Sequence, residues 1–408
     1  MKATAALWLA GLATLGVTAC GSPDASDSWL GALTMANDPA GPGSRYPHLA
    51  GGDGHVVMSW LQSLPQGGFA LQHSRWKDGA WGPAATVTSG DDWFVNWADF
   101  PSVVPLDATT WAAHWLQQRP GSVYSYDVRI AVSRDGGANW SEPMSPHDDG
   151  TPTEHGFVTL FAARDAAQAV WLDGRHTGGG HDHAAGATGA MSVRGASIGT
   201  DGRRLGTDVE IDARACDCCQ TDAALTAEGP VVVYRDRSDR EVRDIALVRY
   251  SGAQWSEPVQ VHNDGWRIDA CPVNGPAIDA RGRTVVVAWF TAPDVPRIRL
   301  AFSQDSGRTF GPPLGVASGD VTGRVDVILL DDGRAVVSWL QPSAGGAEIR
   351  AQPFGRDGPA GAPVVIASSS VQRASGFPQM VRAGGGLLFA WTDTVGPAQV
   401  RTAYATLR

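Results

Sequence analysis

The stretch ARACDCCQTD, residues 213–222, places Cys216, Cys218 and Cys219 within four positions of a chain that has five cysteines in all. Thiols this dense can bond to one another, exchange electrons, or hold a soft cation as thiolates, Zn or Cu(I) above all. Two other stretches carry side chains of chemical interest. LDGRHTGGGHDHAAGATG, residues 172–189, is rich in glycine and contains His176, His181 and His183. Its His-x-His suits Cu or Zn, and the alternative is a solvated loop. YRDRSDREVRD, residues 234–244, sets Arg235, Arg237, Arg240 and Arg243 among Asp236, Asp239, Glu241 and Asp244. Guanidinium forks match carboxylates or phosphates, whereas alternating signs favour a self-neutralising network that shapes the loop.

Which chemistry applies depends on compartment. MKATAALWLAGLATLGVTAC has one Lys, an apolar run to Val17 and small residues up to Cys20. A run this short is a secretory leader rather than a membrane span. Val17-Thr18-Ala19-Cys20 resembles the bacterial lipobox, which implies cleavage before Cys20 and its diacylation; an ordinary cleavage site that precedes a cysteine is the alternative. Gly21 follows, so nothing resembles the inner-membrane retention signal. The resemblance implies an exported lipoprotein, on the outer membrane of a Gram-negative cell and facing the periplasm or the exterior. Membrane contact is then through the lipid anchor only. Residues 1–19 are the expected leader, 20–28 a flexible tether and 29–408 a single domain. A net charge of −10 excludes nucleic acid as a partner, because it leaves no basic footprint.

Fifty Gly, 26 Pro and 16 Trp point to many short strands joined by tight turns. A phrase ending in an aromatic recurs seven times, at Trp60, Trp115, Trp171, Tyr234, Trp289, Trp339 and Trp391, with a period of roughly 50–60 residues. Each copy follows a small-residue strand and precedes a third strand, and a fourth usually comes next. Four strands at this period make a propeller blade, which buries its faces by stacking on its neighbours. The seventh unit ends after its third strand, and WLGALTM, residues 29–35, can supply the fourth. The expected fold is an all-β, seven-bladed propeller of four-stranded antiparallel blades, closed by an N-terminal strand. A six-bladed propeller is the alternative.

Two of the third-to-fourth-strand turns resemble the Asp-box, S-x-D-x-G-x-x-W. SRDGGANW supplies Ser133, Asp135, Gly137 and Trp140, and SQDSGRTF supplies Ser303, Asp305, Gly307 and Phe310. The resemblance is to the BNR/Asp-box propellers of the sialidase superfamily, where these turns lie away from the ligand face. It implies turn-stabilising carboxylates here. A sialidase further needs three arginines around a carboxylate, an Asp acid/base and a Tyr nucleophile paired with Glu. Arg45 in SRYPHL is a degenerate match to the first arginine, and Asp99, Tyr234, Glu241 and Arg243 are weak candidates for the rest. Arg129, Arg194, Arg243, Arg299, Arg350 and Arg401 all recur near the start of a third strand, which favours a structural role.

Propellers place function on the face built by inter-blade connections and second-to-third-strand loops. Arg45, Trp97, Asp99, His155, Arg235, Arg237, Arg243, Arg324 and Arg373 are expected there. So are the cysteines, because the repeat frame sets Cys218 opposite Cys271 on adjacent blades. An exported chain with four cysteines left after lipidation of Cys20 suggests disulfides. A Cys218–Cys271 or Cys219–Cys271 bridge would staple blades four and five and stabilise the fold by about 4 kcal/mol. The alternative is a Zn or Cu(I) cage, with His155 as an extra ligand or with the His181/His183 loop beside it. The expected function is a lipid-anchored, sialidase-like propeller that binds a glycan, small-molecule or envelope-protein ligand without catalysis. A sialidase-like hydrolase and a copper- or zinc-binding protein are the alternatives.

Overall fold

The computed structural model describes residues 28–52, 55–163, 166–177, 189–252 and 254–408. The expected leader, Cys20, His181 and His183 lie outside the described residues. Seven antiparallel sheets follow one another along the chain, each built from strands consecutive in sequence except where the ring closes. Second strands such as Thr284–Thr291 are apolar on both faces, and all but its first residue are buried. A blade covered on each side by another leaves no polar face for such a strand.

The recurring Trp pairs across to the recurring Arg in five blades: Trp115 with Arg129, Trp171 with Arg194, Trp289 with Arg299, Trp339 with Arg350, and Trp391 with Arg401. Blade four departs from this rule. Its Tyr234 faces Ala246, and Arg243 falls before the third strand, Ile245–Ser251. Arg243 therefore does not belong to the structural series in which its spacing seemed to place it.

The ring closes through the N-terminal segment, as expected. Thr34–Met35 pairs with Gln399–Thr406 as the outer strand of blade seven, and Leu30 bridges to Leu407. Trp29 donates its indole N–H to Ala362 O of blade six at 2.9 Å, tying the closing segment to a second blade. Blade two has three ladder strands, and its fourth position is held by the Ile130–Met144 bridge alone.

Both Asp-box turns use their motif residues locally. Asp135 Oδ1 accepts the Asn139 N–H at 2.8 Å, and Ser133 Oγ accepts the Gly137 N–H at 2.8 Å. Asp305 and Ser303 repeat this with Thr309 and Gly307, at 2.9 Å each. Gly137 and Gly307 sit at φ 88° and 77°, where a side chain is disfavoured. Trp140 meets His73 edge-on, and Phe310 packs on the core shared by blades four and five.

Inner strands surround a channel cavity of about 680 Å³. Three channel aspartates latch each blade to the following one. Asp222 accepts the Ile278 N–H, Asp279 that of Leu329, and Asp326 that of Met380, at 2.9, 2.7 and 2.6 Å. Desolvation raises all three carboxyls, to about 7, about 6 and about 8 respectively, and the Asp222 charge adds to the rise at Asp326. A carboxyl whose folded pKa exceeds its unfolded value gives stability that is fully present below about pH 4 and is lost as pH climbs through the folded value. Asp326→Asn removes the charge but keeps one acceptor oxygen. Its stability relative to the parent is therefore expected to improve steadily from about pH 4 to about pH 8. Urea midpoints of the two proteins measured across that range check this, and a constant difference would contradict it.

Candidate metal centre

The cysteine stretch is the connection from the outer strand of blade three, Arg204–Ala215, to the inner strand of blade four, Asp222–Thr226. Backbone and side-chain bonds hold it at both ends. Cys216 N–H donates to Arg235 O at 2.9 Å, and Thr221 Oγ1 donates to Phe157 O at 2.9 Å. Gln220 spans the channel mouth: its amide donates to Ala98 O at 2.5 Å, and its carbonyl accepts the Gly275 N–H at 3.1 Å. Cys271 comes from the next connection, between Val259–His262 and Ala277–Arg281.

The thiols converge. Cys216 Sγ lies 3.4 Å from Cys219 Sγ and 3.9 Å from Cys218 Sγ. Cys218 also interacts directly with the Cys271 thiol. No disulfide joins any of the four. A bonded pair needs sulfurs about 2.05 Å apart, whereas a tetrahedron of Zn–S bonds of about 2.3 Å has edges of about 3.8 Å. The structure shows neither the expected Cys218–Cys271 nor the Cys219–Cys271 staple; Cys216, Cys218 and Cys219 lie together as free thiols with Cys271 in contact with Cys218. Joining blades four and five falls instead to Arg235, whose guanidinium donates to Asn274 O, Arg243 O and Phe290 O at 2.7–3.1 Å and lies over Trp266.

Charge around the cluster has a definite sign. Arg243 is fully buried and donates to Cys216 Sγ at 3.2 Å and to Glu241 at 2.8 Å. Arg237 bonds Asp217 at 2.9 Å and Glu241 at 2.9 Å. Arg237 and Arg243 share the Asp217 and Glu241 carboxylates, while Arg235 donates to backbone carbonyls and adds its charge nearby. The Cys216 sulfur accepts from the buried Arg243, and buried ions need such compensation. Burial by itself would raise the Cys216 thiol. Hydrogen bonds from Cys218 and Cys219, with the charges of Arg243 and Arg235, outweigh it and hold Cys216 well below the ordinary thiol range. Hydrogen bonding to Cys216 raises Cys218, and burial raises Cys219. Three sulfurs within 4.8 Å of one another could hold a cation, and their remaining protons would leave as it bound.

The arginine-rich loop is therefore an inward network rather than an open anion clamp. Glu241 takes up a left-handed backbone, φ 59°, to face Arg237 and Arg243. Tyr234 donates its hydroxyl hydrogen bond to Asp212, so Tyr234 and Glu241 do not form a nucleophile pair. Arg45 donates to Ser63 at 3.1 Å and lies over Phe69. Asp99 is buried, accepts the Phe157 N–H at 2.7 Å, and is raised to about 8 by desolvation. Trp97 stacks on Phe377 across the channel mouth with Arg324 over its face, and the exposed Arg373 lies 6.0 Å from the same ring.

His155 is not a ligand beside the thiols. It stacks on His147 at 3.8 Å between blades two and three, with Asp149 at 3.1 Å and Asp173 at 3.7 Å. Asp173 is itself gripped by Arg175 and by the Trp171 indole, which makes this cluster an ionic latch. Sequence reasoning missed Asp217 and Gln220, which fix the cysteine loop. It also missed His147 and Asp149. The visible signal for the first pair was that blade four breaks the Trp–Arg rule.

No protein-family model matches this chain, and no curated protein matches it. Solved structures do. The polysaccharide lyase Uly1 superposes with a TM-score of 0.53 at 8% identity, over 89% of this chain and 90% of that one. The endosialidase of phage phi92 gives 0.51 at 10% identity, over 92% and 69%. A protein of unknown function from Dyadobacter fermentans DSM 18053 gives 0.50 at 14% identity, over 93% and 99%. The fold is a β-propeller, shared with a polysaccharide lyase and an endosialidase. At these identities the likeness reaches no further than the fold, and the thiol cluster stands on its own geometry.

Proposed function

We propose that this protein is an exported, lipid-anchored propeller that binds a soft cation, Zn(II) or Cu(I), through Cys216, Cys218, Cys219 and Cys271. The observation that carries the reading is the convergence of three thiols, with Cys216 Sγ 3.4 and 3.9 Å from the other two and bonded by a buried guanidinium, and the Cys271 thiol in contact with Cys218. A disulfide is neutral and would leave Arg243 without its sulfur anion. A thiolate cage keeps that partner, and sulfur-only ligation selects Zn(II) and Cu(I) over harder ions. Arg243 and Arg235 supply counter-charge beyond the ligands themselves, as outer partners of metal ligands do. Arg45 bonds Ser63, Tyr234 bonds Asp212, and Glu241 and Arg243 bond Arg237 and Cys216 as well as each other, and the reading is one of binding without catalysis.

Protein reduced and handled without oxygen is expected to take up one Zn(II) or one Cu(I) per chain, with an ultraviolet sulfur-to-metal charge-transfer band for Cu(I). Four oxidised cysteines in protein purified from its native compartment, with no metal bound, would contradict the reading.

A further inference from the structure

The four ligands are not equivalent. Cys216, Cys218 and Cys219 are buried within one anchored connection, whereas Cys271 is half-buried and arrives on a separate one. Its segment is tied on both sides. Ile268 N–H bonds Glu241 O at 3.0 Å, and Asn274 O receives the Arg235 guanidinium at 2.8 Å. Between these ties lies the arch of residues 269–273, in irregular backbone with Asp269 and Ala270 exposed. Pro272 brings no N–H to fix it, and Val273 sits at φ 47°, a left-handed conformation unfavourable for a β-branched residue. A residue held in so sparsely populated a conformation is costly, and such strain gathers at ligand clamps and active sites.

Resting on the thiolate-cage reading, we infer that the site is an exchange site: Cys216, Cys218 and Cys219 retain the cation, and Cys271 is the ligand that leaves as the ion is passed to an incoming thiol. In that step a metal–sulfur bond to the incoming thiolate forms and the bond to Cys271 breaks. The proton lost by the incoming thiol goes to the Cys271 sulfur, and nothing is oxidised or reduced. The incoming ligand approaches over the exposed Asp269 and Ala270, because the other three cysteines are buried and Arg243 lies against Cys216. A closed structural cage would bury all four sulfurs alike.

Protein loaded with Zn(II) and treated with iodoacetamide tests this without any substitution. Cys271 is expected to be alkylated first, with Cys216 and Cys219 labelled at least tenfold more slowly by mass spectrometry. Cys271→Ser is expected to keep close to one Zn(II) per chain but to yield it to 4-(2-pyridylazo)resorcinol at least tenfold faster than the parent. Cys216→Ser and Cys219→Ser are expected to hold less than a tenth of an equivalent. Equal labelling of all four cysteines, or loss of Zn(II) from Cys271→Ser as complete as from Cys216→Ser, overturns the exchange role while leaving the cage intact. A parent protein that takes up neither Zn(II) nor Cu(I) overturns the cage itself.

Discussion

Cys216→Ser is expected to abolish metal binding and to remove the stabilisation that the ion gives the fold. Cys216 is the hub of the cluster, within 3.9 Å of two other sulfurs and bonded by Arg243. Serine matches it in shape, but its hydroxyl stays protonated at neutral pH and is a poor ligand for a soft cation. An ion at a thousand times its dissociation constant stabilises the folded state by about 4 kcal/mol, and the variant forfeits this. Elemental analysis should fall from one ion per chain to near zero. The thermal midpoint of the variant should be indifferent to added Zn(II), whereas the parent should rise. A variant that keeps its ion and its metal-dependent midpoint would show that the thiols act independently.

The second large effect is expected from Arg243→Met. Its guanidinium is fully buried between the Cys216 sulfur and Glu241, so its loss strips the sulfur of its donor and leaves Glu241 with Arg237 and Arg214 as its remaining cations. Breaking a buried pair from one side costs about 3–5 kcal/mol. Arg350→Met provides the contrast. Arg350 holds Glu348 at the solvent-facing edge of blade six, where an ion pair contributes about 0–1 kcal/mol. Adding Glu241→Gln to Arg243→Met should cost less than the sum of the two single losses, since both substitutions break the same ion pair. Urea unfolding of the three single variants and the double variant checks this. A loss at Arg243 no larger than at Arg350 would mean that Cys216 carries no charge for it to balance.

The fold was legible because a propeller writes its architecture as repetition. Seven aromatic phrases, each one buried second strand, were sufficient to count blades, and the unpaired end of the seventh required a strand from the N-terminus. The neighbourhood of Cys218 and Cys271 was legible for the same reason, since the repeat frame set them opposite each other, and their thiols do interact. The state of those thiols was not legible. Whether four sulfurs meet at 2 or at nearly 4 Å depends on how two irregular connections fold, and irregular backbone carries no period. An exported chain favours oxidation on general grounds, and that prior led to the staple. The departures in blade four pointed the other way. Tyr234 replaces Trp, and Arg243 stands outside the register of Arg299 and Arg350, released from the strand to reach a sulfur. The latch of His147, His155 and Asp149 was hidden because its members come from two blades and share no spacing rule.

X-ray absorption at the metal edge of the anaerobically loaded protein is the most direct measurement of the central claim. The cage predicts a first shell of sulfur alone, three or four atoms at about 2.3 Å for Zn(II). A shell dominated by nitrogen and oxygen would place the ion at some other site, and would contradict the assignment of Cys216, Cys218, Cys219 and Cys271 as its ligands.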